Sequence, residues 1–271
     1  MEKRHEDLVF RIVSYNIHGC VDANRQVDPL TIHRILQQLD ADIIALQEVD
    51  GATTLHPGRH QADIIGKRLK QNYVYFPTDD EGLRAFGLAV ISRFKIRDAH
   101  FGWLPNLHPR LNMRKRAALR VTLDTPAGNL HVVNTHLSIY KLESYKQAKA
   151  RLAGSWRDKI SADEPVILCG DFNAGPTSTT YRMISRSFTD VQKALNNGHR
   201  PKPTFHARST HWRIDHIFVS PHFKPIEVEV PRSQDTQTAS DHLPLFAELA
   251  LSGSQAFTRG ALVSPLSRKI N

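Results

Sequence analysis

Cysteine is nearly absent: Cys20 and Cys169 are the only two in 271 residues. That excludes a disulfide framework, and no CxxC or Cys/His cluster offers a zinc site. Both thiols are expected to be reduced and partly buried. No apolar run approaches the ~18 residues that a membrane-spanning helix needs. The opening MEKRHEDLVF carries charges of both signs where a secretory signal would have an apolar stretch. Low-complexity tracts and internal repeats are also missing. The expectation is a soluble, cytoplasmic protein. Acidic residues are the minority, 27 against 36 basic ones, and the formal charge of +9 favours phosphorylated or polyanionic partners.

What is present reads as a mixture of strands and helices. Leu8–Tyr15, Asp42–Leu46, Phe86–Ser92, Pro165–Cys169, Arg213–Val219 and Leu243–Ala250 are apolar strand candidates. Ala117–Asp124 and Asn129–Thr135 form a hairpin across Thr125-Pro126-Ala127-Gly128. Asp28 and Pro29 open a helix whose apolar face is Ile32, Ile35, Leu36 and Leu39. A second helix spans Gln61–Lys70 and buries Ile64, Ile65 and Leu69, and a long amphipathic one spans Glu143–Ile160. Residues 252–271 mix Ser, Gly, Pro and basic residues without a period and read as a loosely ordered tail.

Asn16, Glu48, His136 and Asp171 each close an apolar strand. Strand ends on one rim of a sheet bring side chains from distant positions together, which is how many active sites are built. Two further polar clusters follow, Arg213-Ile214-Asp215-His216 and Ser240-Asp241-His242-Leu243-Pro244. The ordered motifs SYNIHG, LQEV, NTHL, GDFNA, RIDHIF and SDHLP run from Ser14 to Pro244. In this order they resemble the endonuclease/exonuclease/phosphatase superfamily of metal-dependent hydrolases.

The resemblance implies an α+β fold over residues 1–251: a four-layer α/β/β/α sandwich of two packed mixed β-sheets, with the site at one rim. It implies Mg²⁺ (or Mn²⁺) held by Glu48, with Asn16 beside it and Asp241 near it. It implies that Asp171 orients or deprotonates the attacking water and that Asn173 and His136 bind the phosphate. His242 would face the phosphate with Asp215 behind it. Relatives place a phosphate-binding arginine near Arg114 or Arg116. Some carry an acidic residue where this chain has His18, so one principal metal site is implied. Pancreatic-type relatives pair the NTHL histidine with an upstream glutamate that has no match at Arg84–Gly87.

The chemistry suits these residue types. Mg²⁺ is a hard ion that takes oxygen ligands and keeps several waters, so one or two carboxylates suffice. A carboxylate behind a histidine fixes its tautomer and stabilises the imidazolium. The substrate class implied is a phosphate ester: a diester of nucleic acid or a phospholipid headgroup, or alternatively an inositol or sugar phosphomonoester. No stable protein partner is implied. The basic, partly apolar tail offers a peripheral membrane contact.

Overall fold

A computed structural model describes residues 8–51, 60–78, 86–107, 115–152, 160–195 and 200–252. One six-stranded sheet is ordered β11-β12-β1-β2-β4-β3: β1 is Val9–Asn16, β2 Ile43–Asp50, β3 Asn72–Pro77, β4 Phe86–Ser92, β11 Phe223–Glu229 and β12 Leu245–Leu251. The other is ordered β5-β6-β7-β8-β10-β9: β5 is Lys95–Trp103, β6 Ala117–Thr125, β7 Gly128–His136, β8 Val166–Asp171, β9 Thr189–Asp190 and β10 Asp215–Val219. The β1–β2 and β7–β8 pairs are parallel and the others antiparallel, so both sheets are mixed.

Period-two alternation makes the layers. Phe10, Ile12, Ile43, Ala45, Leu245 and Ala247 of the first sheet meet Leu119, Val132, Ile167 and Ile217 of the second in one central core. The alternate residues Val13, Tyr15, Ile44 and Leu46 face outward. They pack against helices α1 (Pro29–Leu39) and α2 (Gln61–Leu69). On the far side Val133, Leu168 and Phe218 pack against α3 (Lys141–Leu152) and α4 (Thr179–Ile184). Two short helices, α5 (Val191–Ala194) and α6 (Gln234–Ala239), complete the four-layer sandwich.

Along the inner faces the apolar rows turn polar toward the same rim. Ile12 gives way to Ser14 and Asn16, Ala45 to Gln47, Val132 to Asn134 and His136, and Cys169 to Asp171. Two amides join the sheets there. Gln47 Nε2 donates to Asn134 Oδ1 at 2.8 Å, and Asn134 Nδ2 donates to the carbonyls of Leu46 (2.8 Å) and Ala89 (2.9 Å). Both side chains are fully buried. Those carbonyls border a bulge where the β2–β4 register shifts between Leu46 and Val49.

Asp28 caps α1 as its position predicts, accepting from the amides of Leu30 and Thr31. The α2 face differs from expectation: Ala62, Ile65 and Gly66 are buried, while Ile64 and Leu69 are only partly covered. β2 runs on to Asp50, past the predicted stop at Gln47-Glu48. The sequence pattern yields no strand for β3, β5 or β11. All three are edge strands, and β5 and β11 are largely exposed and charged, as edges that avoid aggregation tend to be. Residues 153–159 of the predicted long helix and 253–271 of the predicted tail lie outside the described residues. Cys20 and Cys169 are free and fully buried.

Replacing Asn134 with Leu removes its hydrogen bonds to the Leu46 and Ala89 carbonyls and to Gln47, whose Nε2 keeps the Ala45 carbonyl at 3.1 Å. Stability in urea should fall by about 2–4 kcal/mol, since three buried hydrogen bonds are lost at roughly 0.5–1.5 kcal/mol each. A loss under about 0.5 kcal/mol, the scale of a neutral surface change, would show that the inter-sheet amides are dispensable.

Candidate active site

The ladder itself assembles half of the site. His136 closes β7, Asp171 closes β8 and Asp215 opens β10, and their registers put them in one row: His136 opposite Asp171, Asp171 opposite Asp215. Gly170 makes this approach feasible. Its φ is +138°, and an added Cβ would lie 1.9 Å from the Thr135 carbonyl oxygen. A side chain at this position would push β8 off β7 and Asp171 away from His136.

The first sheet supplies Asn16 and Glu48. Glu48 sits in the β2 bulge with φ +51°. Asn16 Nδ2 lies 3.1 Å from Asp171 Oδ2 and 3.4 Å from Glu48 Oε1, while its Oδ1 accepts from the His18 amide at 3.1 Å. His136 stands between two carboxylates, with Nε2 3.4 Å from Asp171 Oδ2 and Nδ1 4.0 Å from Glu48 Oε1. Glu48 thus occupies the side of His136 where sequence offered no partner. A small cleft beside them is lined by Glu48, Thr78, Phe86, Lys115, Arg116 and His136. Arg116 is therefore at the site, together with Lys115, and Arg114 lies outside the described residues.

The 240–243 loop brings the remaining groups. Ser240 Oγ donates to the Asn16 carbonyl (2.8 Å) and accepts from the His242 amide (3.2 Å). Ala207 N donates to Asp241 O and Leu243 N to Thr204 O, which pins the loop to residues 204–207. His242 Nδ1 is 2.8 Å from Asp215 Oδ2, and that same oxygen accepts from the Thr204 hydroxyl at 2.5 Å. The other ring nitrogen faces Asp171 Oδ2 at 3.7 Å. Asp241 lies 3.9 Å from His18 Nδ1, and His18, Gly19 and Cys20 form a turn with positive φ throughout.

Asn173, at φ +47°, caps Asp171: its amide donates to Asp171 Oδ1 at 2.9 Å, and its side chain to the Leu137 carbonyl at 3.0 Å. A buried group of side chains supports this turn from behind. His216 Nε2 donates to the Ala174 carbonyl at 2.8 Å, and Arg213 and Tyr181 both donate to Asp190. Thr204, Gln47, Asn134 and His216 carry no role in the sequence reading. Alternate spacing from His136 could have flagged Asn134 as inward-facing; Thr204 sits in irregular chain and has no such signal.

Burial sets the electrostatics. Asp171 is pushed well above the usual carboxylate range by burial and then by the Asp215 charge, which outweigh His242 and the two hydrogen bonds from Asn173 and Asn16. For His242, burial pulls the pKa down, but the charge and hydrogen bond of Asp215, with Asp171 and Asp241 beyond, carry it up to about 10. Asp171, Asp215 and His242 approach one another closely enough to hold a metal ion. Asp215 Oδ2 already accepts from both Thr204 and His242, its Oδ1 is buried without a hydrogen-bond partner among the described residues, and His242 stands 3.7 Å from Asp171, so the trio is a hydrogen-bonded Asp215–His242 pair beside a second carboxylate. The carboxylates open to the groove are Glu48 and Asp241, with side chains 18% and 31% exposed. As two hard oxygen donors they suit a divalent ion that keeps part of its water shell.

Two packed mixed sheets with a rim of paired carboxylates and histidines define a hydrolase of the phosphoesterase class. Residues 13–242 match the model of the Endonuclease/Exonuclease/phosphatase family, and the chain belongs to that family. An uncharacterized protein, YbhP of Escherichia coli (strain K12), is 24% identical over 269 residues, covering 93% of this chain and 100% of that protein. An endonuclease/exonuclease/phosphatase from Beutenbergia cavernae shares the fold with a TM-score of 0.74 at 24% identity, covering 91% of this chain and 72% of that one. The mannosyl-6-phosphatase Bt3783 of Bacteroides thetaiotaomicron aligns with a TM-score of 0.67 at 22% identity, covering 89% of this chain and all of that one.

In metal-free protein the His242 ring should hold its proton through neutral pH and release it near pH 10. Because this pKa is raised above its unfolded value of about 6.5, the pair's stabilisation is complete below that pH and fades as pH rises through the folded value. Ring-nitrogen NMR titration checks this, and Asp215→Asn should shift the transition down. A wild-type transition near pH 6.5 would mean that Asp215 does not hold the proton.

Proposed function

We propose that this chain is a divalent-metal-dependent phosphodiesterase. The observation that carries the reading is the single row His136–Asp171–Asp215, flanked by Glu48 from the opposite sheet and capped by His242. Glu48 and Asp241 would hold the ion. When bound, Mg²⁺ or Mn²⁺ draws charge from a phosphoryl oxygen and from the leaving oxygen.

Asp171 positions the attacking water. Each of its oxygens has a fixed hydrogen-bond donor, the Asn173 amide on one and the Asn16 side chain on the other, so its orientation is set before substrate arrives. Its raised pKa brings it nearer to working pH than an ordinary aspartate, which favours proton acceptance from that water. Asn16 orients Asp171 and Glu48 through its NH₂ group, and its oxygen, which accepts from the His18 amide, keeps a second lone pair that can serve the ion. His242, kept cationic by Asp215, faces the groove with its other nitrogen and offsets charge growing on the phosphoryl oxygens. His136 and Arg116 contact the phosphate from the cleft side.

A diester carries one negative charge, which one divalent ion and one imidazolium can meet. A second reading, phosphomonoester hydrolysis, is favoured by a specific observation: Lys115 joins Arg116 at the cleft. The likeness to a mannosyl-6-phosphatase points the same way.

Activity should require added Mg²⁺ or Mn²⁺ and vanish on chelation. Glu48→Gln and Asp171→Asn should each lower turnover by about 10²–10⁴-fold, with the double variant losing little more, because the groups act as one unit. Near wild-type turnover of either single variant, in protein shown to be folded, would refute the assigned role.

Substrate preference is tested with bis(p-nitrophenyl) phosphate against p-nitrophenyl phosphate at matched pH and Mg²⁺. The diester should show the higher kcat/KM; the reverse order would establish the monoester reading.

A further inference from the structure

The loop after His136 and the first turns of α3 present a surface that the proposed chemistry does not use. Ile139, Leu142 and Tyr140 are 62%, 64% and 48% exposed, three large apolar side chains within four residues. Isolated exposed apolar residues need no explanation, whereas clustered ones mark interaction sites.

This loop is held in place from below by buried polar groups. Ser138 N donates to Gln147 Oε1 (2.8 Å), and Ser138 Oγ donates to Glu143 Oε2 (3.2 Å) while accepting from the Tyr140 amide (3.2 Å). Gln147 Nε2 in turn donates to the Pro105 carbonyl at 3.0 Å. Ser138, Glu143 and Gln147 are all buried. Their hydrogen bonds fix the apolar side chains outward, where collapse onto the protein would otherwise be favoured.

Among the described residues of α3 and α4, every exposed charged side chain is basic. On α3 the exposed positions include Lys141, Leu142, Lys146 and Lys149, and the helix's acidic residue, Glu143, points inward. α4 packs beside it through Ser144 and Thr180 and adds the exposed Arg182. The patch also adjoins the groove: the Leu137 amide donates to the Asp171 carbonyl, and the Leu137 carbonyl accepts from Asn173.

We infer that this face docks the protein on an anionic phospholipid surface. Ile139 and Leu142 enter the apolar boundary, Tyr140 sits at the interface, and Lys141, Lys146 and Lys149 meet lipid phosphates. Branched aliphatic side chains at the tip distinguish this face from a base-stacking platform, which relies on aromatic rings. Docking here sets the groove beside the headgroup layer. That a lipid phosphodiester is then the substrate rests on the phosphodiesterase reading; the docking does not.

The test is co-sedimentation of the full chain with phosphatidylcholine vesicles, with and without phosphatidylglycerol, in EDTA so that turnover plays no part. Wild-type protein should bind the anionic vesicles, and added salt should weaken the binding. An Ile139→Ser/Leu142→Ser variant, matched to wild type in thermal melting, should bind at least about tenfold more weakly, given the apolar burial lost. Lys141→Glu/Lys146→Glu should weaken binding to anionic vesicles specifically. Equal binding by wild type and the apolar variant, or no binding by wild type, overturns the inference. So does a variant that loses affinity for a single-stranded oligonucleotide by fluorescence anisotropy while its vesicle binding is unchanged.

Discussion

Gln47 and Asn134 meet between the sheets where the apolar inner rows turn polar, and the shape of the groove depends on their contact. Asn134 satisfies two carbonyls at the β2 bulge with its NH₂ and takes the Gln47 amide on its oxygen. Without those bonds the carbonyls beside the bulge would lose their side-chain donor, and the bulged form of β2 would be less favoured against a regular one. A regular β2 would also alternate differently past Leu46 and move Glu48 away from Asn16 and His136. Two leucines would pack the seam at least as well, but they would tolerate sliding of one sheet over the other. The amide pair accepts one registry, and the site spans both sheets, so registry is what it needs.

Three aspartates of the second sheet, Asp171, Asp190 and Asp215, are buried, and their partners differ in kind. Asp190 has Arg213, Tyr181 and His216; burial would raise its pKa, but these partners outweigh burial and hold it well below the usual range. Its contribution to stability is therefore present above the unfolded value of about 3.9 and lost as pH falls through the lower folded one. Asp215 has the His242 ring and the Thr204 hydroxyl. Asp171 has amide donors and two imidazoles at 3.4 and 3.7 Å. Its raised pKa carries the opposite sign: ionising it costs stability, increasingly so from about pH 3.9 up to the folded value. Asp190 serves the scaffold, and Asp171 is destabilising at the pH where its charge is useful.

Much of this was legible in the sequence because the inner rows change character at a definite point. The alternation through Ile12, Ser14 and Asn16, or Val132, Asn134 and His136, marks both the buried face and the rim. Asp28-Pro29 marked the start of α1 because capping is a local property. The edges were harder. β5 carries Lys95, Arg97, Asp98 and His100, and a strand paired on one side only has no need of an apolar pattern. The bulge left no trace in Leu46-Gln47-Glu48-Val49, which reads as a plain strand end, since what stabilises it is an asparagine 85 or more positions away, beyond any local window. Thr204 was invisible for a related reason: its hydroxyl matters only through the place where irregular chain crosses β10.

His18 joins these observations to the proposed ion. The positive-φ turn over residues 18–20 holds its ring 3.9 Å from Asp241, at a position where an acid would add a further negative charge to the rim. With histidine there, the open carboxylates are Glu48 and Asp241, and their charge matches one divalent ion. Asn16 links that rim to Asp171, since a single NH₂ group lies 3.4 Å from Glu48 and 3.1 Å from Asp171. A cation at the rim favours the ionised form of Asp171, and each pKa unit of that effect is worth about 1.4 kcal/mol. By linkage, ionised Asp171 strengthens the cation's hold by the same amount. Burial of Asp171 works against that hold below its raised pKa, where filling the site must first release a proton, so one buried carboxylate both tunes the base and makes ion binding pH-dependent.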